Sequence, residues 1–132
     1  MVTEAARAHA EGFGSIEEKM VFQELLRRGY KSGEDYTYQS PVFGGRVDKG
    51  GLVVDFLFSN PPGLAINPLG EYYHYEQGIA QRVDDKMSKV MLASLGITLI
   101  FIDSEDLHRD VKFYVGEALN FHDHSRHARG IV

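Results

Sequence analysis

Apolar residues run without a break through positions 52–58 except at one place, Asp55. A run of that length, set between glycines and the turn Ser59-Asn-Pro-Pro-Gly63, predicts a buried or half-buried strand. Residues 64–67 predict a second strand, Leu-Ala-Ile, whose apolar run also ends on a polar residue, Asn67. Residues 97–102 predict a buried strand, and the alternating stretch 36–42 another. Helical spacing fills the intervals. Ser15 with Glu18 three residues later is a capping box, and Ile16, Met20, Phe22, Leu25 and Leu26 form a stripe that Gly29 ends. Residues 79–95 predict a helix with Val83, Met87, Val90, Met91 and Leu95 on its buried side and Gly96 as its stop. Ser104 is expected to cap a final helix that runs to Leu119.

The remaining stretches carry less pattern. Residues 1–14 read as a short Ala-rich helix or a frayed tail, 44–51 as a glycine-rich hairpin or loop, and 121–132 as an exposed, His-rich tail. The order is helix, three strands, helix, strand, helix. The helix at 79–95 serves as a crossover, so the strands on either side of it can run parallel. With 132 residues, one α/β domain spanning 1–132 is expected.

Composition narrows the chemistry. There are no cysteines, which excludes disulfides, zinc–thiolate sites and thiol nucleophiles. Hydrophobic residues at 43% and charged residues at 25% fit a folded soluble domain. No apolar stretch is long enough to span a membrane and no secretory signal is visible, so a cytoplasmic protein without a membrane partner is expected. The net charge of −5 argues against a non-specific nucleic-acid coat. It leaves room for a DNA enzyme, which gathers carboxylates at its site and meets phosphate with local cations. Arg27, Arg28 and Lys31, Arg46 and Lys49, Arg82, Lys86 and Lys89, and Arg126 and Arg129 are such clusters, although each alone reads more readily as mixed solvated surface.

Asp55 is the strongest chemical signal. A carboxylate inside an apolar strand costs several kcal/mol unless a cation or hydrogen-bond donors meet it. An Asp on one strand, Asn67 at the end of the next, and His74 shortly after Gly70 read as a candidate hydrolytic metal site. Mg²⁺ or Mn²⁺ suits oxygen ligands of this kind. His74 suits a general base. Each residue also has a plainer reading. Asp55 could bond backbone amides or Arg46, Glu18 could serve only the capping box, and Asn67 could be a strand end before Pro68. Asp84 and Asp85 flank the apolar stripe of their helix. Helical phase favours Asp84 for the inner side, and either could orient His74. Gln81, Arg82 and Lys86 on that helix, with Arg46 and Lys49, are candidate phosphate contacts. Tyr72, Tyr73 and Tyr75 could stack on bases or pack in a core, and the tail histidines 122, 124 and 127 could bind a metal or simply face solvent.

This order of residues resembles the PD-(D/E)XK nuclease superfamily, and within it the Vsr-like and EDxHD endonucleases. The resemblance covers about residues 15–102 and rests on Glu18, Asp55, Asn67, His74 and Asp85. It implies a restriction-endonuclease-like three-layer α/β core, a mixed sheet of about four strands flanked by helices. It also implies a Mg²⁺-dependent DNA endonuclease, with Asp55 and Asn67 at the metal, Glu18 on its water, His74 as base and Asp85 orienting it. The usual Glu-x-Lys triplet is replaced here by Asn67-Pro68-Leu69. Vsr-like enzymes also lack that triplet and use a backbone carbonyl at this position. An origin in a phage or mobile element, and a homodimer, are compatible with the resemblance. The alternatives are a catalytically degenerate DNA-binding or assembly module on the same fold, and an unrelated α/β binding domain with a structural Asp55.

Overall fold

The computed structural model describes residues 3–42, 52–70 and 79–130. The elements run α1 (Glu4–Ala10), α2 (Ile16–Arg27), β1 (Tyr36–Val42), β2 (Leu52–Ser59), β3 (Pro62–Pro68), α3 (Ile79–Ala93), β4 (Thr98–Ile102), α4 (Ser104–Leu119) and α5 (Arg126–Arg129). The strands form one mixed sheet in the order β1-β2-β3-β4. β1, β2 and β3 pair antiparallel, as short connections require, whereas β4 pairs parallel to β3 after the α3 crossover.

Alternation along the strands builds two cores. Tyr36, Phe56, Phe58, Leu64, Ile66, Ile100 and Ile102 meet Val21 and Leu25 of α2 and Leu107, Val115 and Ala118 of α4. Ala65, Leu99 and Phe101 meet Leu92 of α3, together with Val54 and Leu69. Helices thus flank a four-stranded mixed sheet, in agreement with the α/β expectation. Among the described residues no helix is long and apolar enough to cross a membrane.

Three local expectations are corrected. The stripe on α3 does not face the core: Met87 and Val90 are 56% and 71% exposed, and Leu95 beyond the helix is 52% exposed. Asp85, Lys89 and Leu92, spaced four and then three apart, form the inward face instead. The cause lies in the tail. Asp123 and His127 give Lys89 and Asp85 partners, so a polar stripe can turn inward without leaving charges unmet.

That tail was expected to be exposed. Instead Ser125 is fully buried, His127 is buried, and its ring lies on Phe101 with centroids 4.7 Å apart. Asp123 accepts the Phe101 N–H at 3.1 Å, on the terminal strand of the sheet. A sheet edge left with unpaired backbone groups invites foreign strands. The third correction concerns the α4 cap. Asp103 holds the N-cap position, and Ser104 is the first helical residue with its hydroxyl turned to Glu17.

Candidate functional site

β2 and β3 pair from Ser59↔Pro62 as far as Phe56↔Ile66. At the next position the Asn67 side chain replaces the backbone partner: its Oδ1 accepts the Asp55 N–H at 2.9 Å. On the opposite side, β1 pairs Tyr38 with Phe56 and then Ser40 with Val54, passing over Gln39 and Asp55. Gln39 there takes φ +53°, a left-handed conformation that costs a side-chain-bearing residue on the order of 1–3 kcal/mol. The facing of β2 also breaks, since Val54 joins the α3-side core while Phe56 and Phe58 join the other. Asp55 therefore sits at a fork in the sheet, where the ladder opens on both sides.

Glu18, in the first turn of α2, closes this fork. The Ser15 hydroxyl accepts the Glu18 N–H at 3.1 Å, the N-cap half of the capping box. The Glu18 carboxylate is directed elsewhere than a cap alone requires. Oε2 accepts the Ser15 hydroxyl at 3.2 Å, and Oε1 accepts the Tyr38 hydroxyl at 2.5 Å and the Gln39 amide at 3.5 Å. Tyr38 in turn accepts the Gly14 N–H at 3.0 Å. A Cβ at Gly14 would stand 2.5 Å from Glu18 Oε2, so a side chain there would displace the carboxylate from this position.

The electrostatics follow from this placement. Burial, and after it the charge of Glu18, push the Asp55 carboxyl up to about 7. Among the described residues no cation and no hydrogen-bond donor meets that carboxylate. Burial, then the bond to Glu18, push the Tyr38 hydroxyl well above its ordinary value. A raised carboxyl means that the folded chain holds a proton which the unfolded chain releases near pH 4. This part of the fold therefore loses stability as pH rises from about 4 through about 7.

The sequence-derived candidates divide. Glu18, Asp55 and Asn67 are brought together. Asp85 lies apart from them in contact terms, its Oδ2 3.4 Å from His127 Nε2. Lys86 is exposed on α3. His74, Arg46 and Lys49, like Tyr72, Tyr73 and Tyr75, lie outside the described residues. Gln81, Arg82 and Asp84 belong to the α3 backbone, with their side chains outside what is described. Among the described residues no group of three or more His, Cys, Asp or Glu side chains stands ready to hold a metal.

Tyr38 and Gln39 escaped the sequence reading. Tyr38 read only as part of an alternating strand, and the partnership with Glu18 spans 20 positions with no local signature. No family model, no curated protein and no solved structure matches this chain.

Proposed function

We propose that this chain is a Mg²⁺-dependent DNA endonuclease with a restriction-endonuclease-like fold, akin to the Vsr-like and EDxHD enzymes of the PD-(D/E)XK superfamily. One observation carries the reading: the Asp55 carboxylate stands at the sheet fork beside Glu18 with no cation among the described residues to meet it. A chain that buries two neighbouring carboxylates gains from a divalent cation there.

The residues fit such an ion. Mg²⁺ takes oxygen donors and keeps several waters, so two carboxylates without a third protein group agree with its habits. Asp55 would hold it, with Glu18 on its water shell. Asn67 Oδ1 already accepts the Asp55 N–H, so a contribution from residue 67 falls to its remaining lone pair or its backbone carbonyl. When bound, Mg²⁺ supplies Lewis-acid stabilisation of charge on a phosphodiester. The protein's own part is to hold Glu18 through Ser15 and Tyr38. His74 is the proposed general base. Since Asp85 belongs to the His127 pair, Asp84 is the better candidate to orient it. Lys86, Arg82, Gln81, Arg46 and Lys49 are the proposed DNA contacts.

A second reading, a nuclease-fold DNA-binding or assembly module without catalysis, is favoured by Asn67-Pro68-Leu69, which lacks the usual lysine. Incubation with plasmid and linear duplex DNA separates the two. The enzyme reading expects cleavage with Mg²⁺, none with chelator, and background only for Asp55→Asn. DNA binding with no cleavage under any divalent ion would favour the second reading.

A further inference from the structure

α2 carries another buried carboxylate that the fork does not use. Glu17 is only 1% exposed and turns toward α4. Its Oε2 accepts the Ser104 hydroxyl at 2.9 Å and meets His108 Nε2 at 2.7 Å. Among the described residues no lysine or arginine pairs with it. Two helices could close such a contact with apolar residues at no loss of stability. What the carboxylate adds is a fixed imidazole: with one ring nitrogen committed to Glu17, the ring is oriented and the other nitrogen is left to a ligand.

His108 keeps nearly half its side chain exposed and lines a groove of about 310 Å³ among α1, α2 and α4. Ile16 and Met20 contribute the apolar part of its wall, and Arg7, Lys19 and Gln23 bring further donors. Lys19 is held by Glu11 at 2.8 Å. Arg7 and Glu4 both line the groove and lie on one helix face, yet they form no ion pair, and the Arg7 guanidinium has no side-chain partner among the described residues. A guanidinium fork and an amide donate to phosphate oxygens, and an imidazole joins them when both of its ring nitrogens carry protons.

We propose that this groove is an anion site that takes a phosphate group, either free phosphate or a DNA phosphodiester. Arg7 and His108 are its principal ligands, and Glu17 is the positioning residue for His108. The site stands independently of the cleavage reading, because it shares no side chain with the Asp55 fork.

The test is a nitrogen-resolved NMR titration of the full chain in chelator at constant ionic strength. One arm adds inorganic phosphate, the other a short DNA duplex. The expected result is a saturable shift of the His108 ring nitrogens and Arg7 Nε in at least one arm, weakened about tenfold in Arg7→Gln, the loss of one charged hydrogen bond. A response to inorganic phosphate alone assigns the site to free phosphate, and a response to the duplex assigns it to the phosphodiester. Arg7 is exposed, so its variant keeps the fold, which unchanged core resonances verify. No saturable shift in either arm, or wild-type affinity in both Arg7→Gln and His108→Gln, overturns the proposal.

Discussion

At the β4 edge, Asp123 accepts hydrogen bonds from the Phe101 N–H and from Lys89, Asp85 stands 3.4 Å from His127, and Asp103 accepts the Arg126 N–H. At the β2–β3 fork, Asp55 meets the field of Glu18 and no donor among the described residues. Both regions place carboxylates against a sheet that is otherwise apolar. The difference is in what surrounds them. A buried carboxylate with donors on it closes an edge and holds a tail in place. A buried carboxylate beside another carboxylate weakens the fold that carries it, and this is the arrangement a cation would relieve.

The largest expected effect separates the two regions by activity. Glu18→Gln keeps an acceptor for Tyr38 and the N-cap bond of its own backbone N–H, so its melting temperature stays near wild type. On the proposed endonuclease reading, cleavage of duplex DNA should fall by about a hundredfold or more, the scale of losing one catalytic carboxylate. Wild-type cleavage in this variant would return Glu18 to the helix cap.

Asp123→Ala should do the reverse. It strips partners from Phe101 N–H, Ser125 N–H and Lys89 together. A loss of about 2–3 kcal/mol in denaturant unfolding is expected, and on the proposed endonuclease reading cleavage per folded molecule stays unchanged. A variant of normal stability would mean that the tail does not depend on this anchor.

Tyr38→Phe gives the smallest effect. It removes the hydrogen bond to Glu18 and the weaker, exposed ones that the hydroxyl accepts from Gly14 N–H and the Gln39 amide, and it leaves the aromatic packing on Phe56 and Phe13 intact. Stability should drop by about 1 kcal/mol. Denaturant unfolding measures this loss, and a variant of unchanged stability would show that the Tyr38 hydroxyl holds nothing in place.

Much of the fold was legible because period and punctuation are local. The capping box at Ser15, the turn before Leu64 and the crossover before β4 each announce an element within a few residues. Asp55 was legible as a polar residue in an apolar run, and the resemblance to known nucleases drew Glu18 and Asn67 toward it. What sequence could not give was long-range pairing. The α3 stripe pointed the wrong way because the partners of Asp85 and Lys89 come from a segment about 35 to 40 residues further on, a separation for which amphipathic spacing carries no signal. The same limit hid Tyr38 behind Glu18 and His108 behind Glu17. The expected approach of His74 to Asp55 lies outside the described residues.

The proposed function rests on Asp55, a half-buried carboxylate that no cation or donor among the described residues meets, as the group that takes a divalent ion. A carbon-detected NMR titration of the Asp55 carboxyl, with and without Mg²⁺, tests it most directly. Without metal the carboxyl should titrate near 7, far above an ordinary aspartate, because burial and then Glu18 oppose its charge. Mg²⁺ competes with the proton, so added metal should pull the titration to lower pH and bind more tightly as pH rises through 7. A carboxyl that titrates near 4 and ignores Mg²⁺ would contradict the account.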